Sequence, residues 1–231
     1  MEFTSEINVE LIQHMGSDEM IAAAARVSTG LDLHQYTEKE TEGLIRYLMK
    51  NRHGSPFEHG SVTVRVEAPI FVFREWQRHR IASYNEVSGR YKKLDPKFYV
   101  YPDDRPLEQV GSGAHPKLAK PGGLLQTLVN GEIVGAARKS WRAYEAMLEA
   151  GAATEVARAV LPVNIYSTMY VTMNPRGIMN FLALRVDHVD NTFSTKPQWE
   201  IQQAAVQVEN IFKELYPLTW VNWHMNGRVA P

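Results

Sequence analysis

The seven residues from Ser61 to Glu67 alternate without a break, with Val62, Val64 and Val66 on one side and Thr63, Arg65 and Glu67 on the other. A side-chain period of two belongs to extended backbone with one face buried, so this stretch reads as a half-buried strand. Pro69 ends it and suits the start of a helix, which the sequence continues over Ile70 to Gln77.

Around that strand the pattern is mostly helical. A short strand is expected near Ile7 to Leu11, then a helix over Ser17 to Val27 with Ser17 as N-cap and Glu19 in its first turn. A second helix is expected from Thr37 to Met49, with Leu44, Ile45, Leu48 and Met49 as its apolar stripe. Gly54-Ser55-Pro56 reads as a turn, and Tyr101 to Gly123, with four Pro and four Gly, as a surface loop. Leu124 to Glu149 reads as one long helix, with Gly131 as a point where it could break. Thr154 to Val160 starts afresh after Gly151 with Thr154 as cap, and Ile165 to Thr172 suits a strand. Gly177 to Val186 looks helical, and Asp187 to Pro197 is a polar insertion without period. Gln198 to Leu215 is amphipathic through Ile201, Ala204, Ala205, Val208, Ile211 and Phe212. The expected fold is α+β: a single domain over residues 1–231, a mainly antiparallel sheet packed by helices, and insertions at about 101–123 and 187–197.

Charge and cysteine content limit the chemistry. The chain has 231 residues, 44% hydrophobic, with 25 Lys and Arg against 26 Asp and Glu. It can bury a full core, but attraction to phosphate has to come from local clustering. There is no cysteine, which excludes disulfides, thiolate metal sites and cysteine nucleophiles and fits a reducing compartment. MEFTSEINVELIQHMG is acidic and polar where a signal peptide needs a basic start and an apolar run. Ile21 to Ala25 and Ile70 to Phe73, the longest apolar runs, are too short to span a bilayer. A soluble, cytoplasmic protein without a membrane partner is expected.

The clustering is found between Arg74 and Lys93, with six Lys or Arg against two Glu. The bases interleave with Ser83, Tyr84, Asn85, Ser88, Gly89 and Tyr91. Arginine offers a planar fork of donors to a phosphate, while serine hydroxyls and open backbone N–H groups fill the remaining lone pairs. An ordinary basic surface loop has a similar composition. Two features favour the phosphate site: Arg74 and Arg78 share a helix face at i, i+4, and Arg78-His79-Arg80 directly follows an apolar helix that fixes its position.

Arg78-His79-Arg80, followed by seven residues and Ser88, resembles the signature of the flavin-dependent thymidylate synthases. The likeness extends through Asn85-Glu86, Ser88 and Arg90-Tyr91. His53-Gly54-Ser55-Pro56-Phe57-Glu58-His59 is similar to the family's block before the strand. Arg158 within VARAVLP, Asn174-Pro175-Arg176, Asn180-Phe181, Arg185 and Gln198 to Gln202 resemble its later blocks. Separated blocks in the right order over about 150 residues are a specific match, where the Arg-His-Arg triplet alone is weak.

The resemblance implies a homotetramer with active sites between subunits. They would hold FAD, dUMP and a folate, and convert dUMP to dTMP with methylenetetrahydrofolate as carbon donor and NADPH as reductant. It implies that Arg78, His79, Arg80, Asn174, Pro175, Arg176 and Asn180 hold FAD, with Ser55 and Glu86 beside them. For dUMP it implies Glu75, Trp76, Gln77, Arg78, Glu86, Val87, Ser88, Gly89, Arg90, Arg158 and Arg185, with Ser88, Gly89 and Arg90 at the phosphate. Arg185 is the implied catalytic cation, polarising the uracil and favouring ionisation at N3. His53 and Tyr91 are candidates for stacking on flavin or folate. No metal is expected: His53 and His59 are six apart and form no helical pair. Cysteine-dependent thymidylate synthases attack uracil with a thiolate, a step closed to this chain, whereas a flavin route keeps the hydride chemistry in the cofactor. Ser88 as nucleophile is the alternative, with no histidine base evident beside it in sequence.

Plainer readings stand beside these. His79 can be a satisfied structural histidine, and Arg185 an exposed residue or half of an ion pair with Asp187. Glu58 and Glu86 can be partners of the arginines, and Trp199 and the Met-rich stretch Met169 to Met179 read as core. A non-catalytic RNA- or nucleotide-binding protein would use the same segment to grip phosphates and stack bases. It has no need of Asn180 or Arg185; the favoured reading has no nucleic acid polymer as partner.

Overall fold

The alternating valines go where their period directs them. In the computed structural model, which describes residues 1–30, 36–110 and 117–231, Ser61–Pro69 is a strand with Val62, Val64 and Val66 almost fully buried. Each such side chain contributes about 1.5–3 kcal/mol on leaving water. Thr63, of the opposite register, is also buried, and its hydroxyl meets that of Thr172 at 2.9 Å. The second face is therefore covered too, with its polar groups paired.

The described residues form two compact units, one of Met1–Ile7, Glu67–Phe73 and Glu86–Thr168, the other of Asn8–Val66, Arg74–Asn85 and Met169–Pro231. A four-stranded sheet, most of whose residues belong to the latter, runs in the order Asn8–Met15, Ser61–Pro69, Tyr166–Met173, Ser83–Glu86. That unit's helices begin where the caps direct. Ser17 accepts from the Met20 N–H ahead of Asp18–Arg26, and Thr37 and Glu40 form a capping box ahead of Glu38–Lys50. Asn174 caps Pro175–Arg185, which starts two residues earlier than the sequence reading placed it. Trp199–Leu215 buries Ile201, Ala204, Ala205, Val208 and Phe212, as its periodicity requires. A last helix, Pro217–Met225, was not expected. It is capped from the far end of the chain by the buried Asp18, which accepts from the Leu218 and Thr219 N–H groups at 2.7 and 2.9 Å and from the Thr219 hydroxyl at 2.6 Å.

In the first unit the strand Glu2–Thr4 pairs in parallel with Lys97–Tyr99. Gly123–Glu149 is one unbroken helix of 27 residues. Its Gly131 opens no break, because neighbouring helix formers outweigh the cost of about 1 kcal/mol per glycine. Phe98, Trp141, Tyr144, Ala157 and Ile165 pack together as this unit's core. The expected 101–123 loop carries a short antiparallel ladder, Glu108–Gln109 with Leu118–Ala119, while its residues 111–116 lie outside the described ones. Thr154 is not a cap. Ala153 holds that position, and the Thr154 hydroxyl donates to the Arg90 carbonyl instead.

Residues 187–197 have no regular element, but their ends are tied back to the second unit. Thr195 donates to the Leu184 carbonyl, and Asn191 to that of Val186, each at 2.8 Å. Among the described residues, no helix is long and apolar enough to cross a membrane.

Candidate active site

In the second unit the site is organised by the turn that ends helix Ile70–Trp76. Val72, Phe73 and Trp76 point into the core, so Arg74, Glu75, Gln77 and Arg78 are left outside. Trp76 has no exposed surface and stacks on Phe181 with ring centres 4.7 Å apart. The resemblance implied Trp76 at the nucleotide; its side chain is core. His79 meets the same Phe181 edge-on at 5.0 Å. Arg74, Gln77, Arg78 and Arg80 line an open cavity of about 710 Å³. Arg78 has Glu75 at 3.6 Å, whereas Arg74 and Arg80 have no carboxylate partner among the described residues.

Arg185 ends its helix beneath this turn, with its side chain only 15% exposed. Its Nη1 lies 3.1 Å from Glu75 Oε2, Nη2 donates to the Glu75 carbonyl at 3.1 Å, and Nε donates to His79 Nε2 at 3.0 Å. Asp187, the partner considered from sequence, pairs with Lys196 at 2.6 Å. Nothing in the sequence marked Glu75 for Arg185. Burial, joined by the Arg185 charge, pushes His79 down to about 4 from the usual 6.5. The unfolded chain therefore binds this proton first, and stability present above pH 6.5 is lost as pH falls toward 4. We expect the denaturant midpoint to drop over that range, and to drop less in His79→Gln.

A second group surrounds the 3₁₀ turn Ser55–Glu58. Arg176 pairs with Glu58 at 2.6 Å, and its Nε donates to the Pro231 carbonyl at 2.6 Å. Gly54 lies against that guanidinium, where an added Cβ would come within 2.5 Å of Cζ. Asn174 Oδ1 accepts from the Gly177 N–H at 2.7 Å, and Asn180 Nδ2 donates to the Arg176 carbonyl at 3.1 Å. Ser55 is exposed, as is His53, whose ring meets Tyr47 edge-on at 5.7 Å. Gly177 carries the Ile81 carbonyl, which an added Cβ would meet at 2.9 Å. Gly177→Ala is expected to cost about 1–3 kcal/mol by overpacking, measured by denaturant unfolding.

In the first unit Glu86, Val87, Gly89, Leu94 and Arg158 share the lining of a cavity of about 120 Å³. Removal from water raises the Glu86 carboxyl above its usual range, against the pull of Arg158. Gly89 leaves room for Arg158, whose Cδ would lie 3.3 Å from a Cβ there. Ser88 Oγ accepts from the Arg90 N–H at 3.2 Å, and Arg90 pairs with Glu155 at 2.9 Å. Tyr91 is 81% exposed, with the Arg90 guanidinium 5.4 Å from its ring centre.

One further group in the second unit, His188, Asp190 and His224, brings three possible metal ligands within 4.8 Å. Hydrogen bonds already engage three of their four ring nitrogens. The Asp190 N–H reaches His188 Nδ1 at 3.2 Å, and Arg228 Nη1 reaches His224 Nδ1 at 3.3 Å, leaving His224 Nε2 to donate to Asp190 at 2.9 Å. A cation on that Nε2 would force an Nδ1–H toward Arg228, which is fully buried and held twice by Glu209.

Arg74 and Arg80, without a carboxylate partner among the described residues, line a wide opening, and in a smaller cavity a carboxyl lies beside an arginine: an α+β protein with positive charge placed for an anionic ligand. Residues 10–218 match the model of the family described as thymidylate synthase complementing protein, Thy1. The chain belongs to this family, the flavin-dependent thymidylate synthases. It is 46% identical over 232 residues to the flavin-dependent thymidylate synthase of Tropheryma whipplei, covering 99% of this chain and 97% of that one. The Streptomyces avermitilis enzyme of the same name is 45% identical over 234 residues, covering 99% and 95%. Among solved structures, the UMP/dUMP methylase PolB from Streptomyces cacaoi bound with 5-Br UMP matches with a TM-score of 0.93 at 40% identity, over 100% of this chain and 99% of that one.

Proposed function

We propose that this chain converts dUMP to dTMP, using FAD reduced by NADPH and methylenetetrahydrofolate as carbon donor, without an enzyme nucleophile. The observation that carries the reading is the Arg185 guanidinium, held on all three nitrogens and mostly removed from water. Arginine has five N–H groups, so one on each Nη remains for a substrate oxygen. A cation so fixed stabilises negative charge developing on a uracil ring without reorganising.

The residues present fit FAD. Arg74 and Arg80, with no carboxylate partner among the described residues, and Arg78 supply positive charge at an opening wide enough for a dinucleotide. Arg78, His79, Arg80, Asn174, Pro175, Arg176 and Asn180 would hold it, with Ser55 and Glu86 beside them. When bound, the flavin supplies the hydride that reduces the transferred carbon. Glu75, Trp76 through its backbone, Gln77, Arg78, Glu86, Val87 and Arg158 are proposed for dUMP, with Ser88, Gly89 and Arg90 at its phosphate. His53 and Tyr91, both exposed, are proposed to stack on flavin or folate. The assembly is proposed to be a homotetramer with its active sites at subunit interfaces, for which the exposed Leu11, Ile12 and Met15 of strand Asn8–Met15 offer apolar surface.

The test is chromatographic detection of dTMP from protein incubated with FAD, dUMP, methylenetetrahydrofolate and NADPH, each omitted in turn. UMP replaces dUMP in a parallel reaction, since a solved relative carries both nucleotides in its name. Product only from the complete mixture supports the proposal. Flavin-loaded protein that yields none from dUMP overturns it, and product from UMP alone would make the ribonucleotide its substrate.

A further inference from the structure

Glu75 gives its two carboxylate oxygens to different arginines. Oε2 lies 3.1 Å from Arg185 Nη1, and Oε1 lies 3.6 Å from Arg78 Nε. The two arginines differ in setting, since the Arg185 side chain is 15% exposed and that of Arg78 71%. An exposed pair contributes little, about 0–1 kcal/mol, so the contact that matters is the one with Arg185. It is doubled by the Glu75 carbonyl, which accepts from Nη2 at 3.1 Å. One residue therefore grips both Nη atoms and sets the plane of the guanidinium.

That plane dictates the state of the next ring. Nε–H of Arg185 points at His79 Nε2, 3.0 Å away. Arginine can only donate, so Nε2 must present a lone pair and the single ring proton must be on Nδ1. His79 also packs edge-on against Phe181, and its carbonyl accepts from the Tyr84 hydroxyl at 2.5 Å. Neither fixes a ring nitrogen. Among the described residues, only Arg185 contacts the imidazole through a charged group.

We propose that Glu75 is the positioning residue of this site, fixing the Arg185 guanidinium and, through it, holding His79 in the tautomer whose one N–H is on Nδ1. The consequence for turnover rests on the function proposed above; the consequence for His79 does not. Glu75→Gln keeps an oxygen acceptor for Nη1 and so keeps the guanidinium aimed. Glu75→Ala leaves the carbonyl contact alone, and a four-bond side chain then swings toward water.

Long-range ¹H–¹⁵N spectra of histidine-labelled, flavin-loaded protein test this, with the His79 signals assigned by His79→Gln. In the parent protein and in Glu75→Gln, His79 should show protonated Nδ1 and unprotonated Nε2, with no titration between pH 8 and about 5. In Glu75→Ala the two nitrogens should average, and the titration should rise only by the part that the nearby Arg185 charge contributes, since burial still holds it below the ordinary value. Should Glu75→Ala not fold, Arg185→Met must give the same change by removing the donor itself. In assays of dTMP formation, Glu75→Ala should lower kcat roughly tenfold to a hundredfold, on top of any rise in KM from its proposed place at dUMP. A rise in KM with kcat unchanged would leave Glu75 a dUMP contact without the positioning role. An unaltered Nδ1 tautomer in folded Glu75→Ala overturns the proposal, and does so even if the protein forms no dTMP.

Discussion

Replacing Arg185 with alanine is expected to lower dUMP turnover by about 10²–10³-fold while flavin stays bound. That range is what removal of one preorganised donor costs where charge develops. The structural consequences are small by comparison. Arg185 is the last residue of its helix, so the backbone loses no internal turn. Glu75 and His79 Nε2 lose a donor, a cost of about 1–3 kcal/mol if both stayed dry, but Glu75 is 29% exposed and can rehydrate. The proposed flavin ligands Arg78, Arg80, Arg176 and Asn180 are untouched. Initial rates of dTMP formation, set against flavin absorbance per protomer, separate the two effects. Normal turnover with normal flavin content would remove Arg185 from the mechanism.

Trp76→Ala is expected to destabilise the fold by about 3–5 kcal/mol, the usual cost of truncating a fully buried aromatic. Trp76 has no exposed surface, and its stacking on Phe181 joins the turn carrying Glu75 and His79 to the helix carrying Arg185. Trp76→Phe keeps a ring against Phe181 and should cost less. Denaturant midpoints of the three proteins measure this. A variant with an unchanged midpoint and a raised KM for dUMP would place the indole at the nucleotide instead of in the core.

What the sequence made legible was local. The valine alternation of the central strand, the cap at Ser17, and the Arg74–Arg78 face each depend on residues within a few positions of one another. What it hid was paired over distance. Glu2–Thr4 and Lys97–Tyr99 are three-residue strands with no periodicity to announce them, so their parallel pairing had no signal. Helix Pro217–Met225 has apolar residues all round, Leu218, Trp220, Val221, Trp223 and Met225, and so no stripe, and its cap is a carboxylate at Asp18. The candidate site divides the same way. The arginines of residues 74–80 announced themselves as a charge excess. The Glu75–Arg185 contact spans 110 positions, and Asp187, the nearer acid, was drawn off by Lys196.

The proposal that a flavin serves dUMP chemistry here is tested most directly by one absorbance spectrum, recorded on the purified protein and again after dUMP and NADPH are added. The expected result is a yellow protein with the bands of oxidised flavin, which bleach with NADPH once dUMP is present. A colourless protein that cannot be reconstituted with FAD would contradict it.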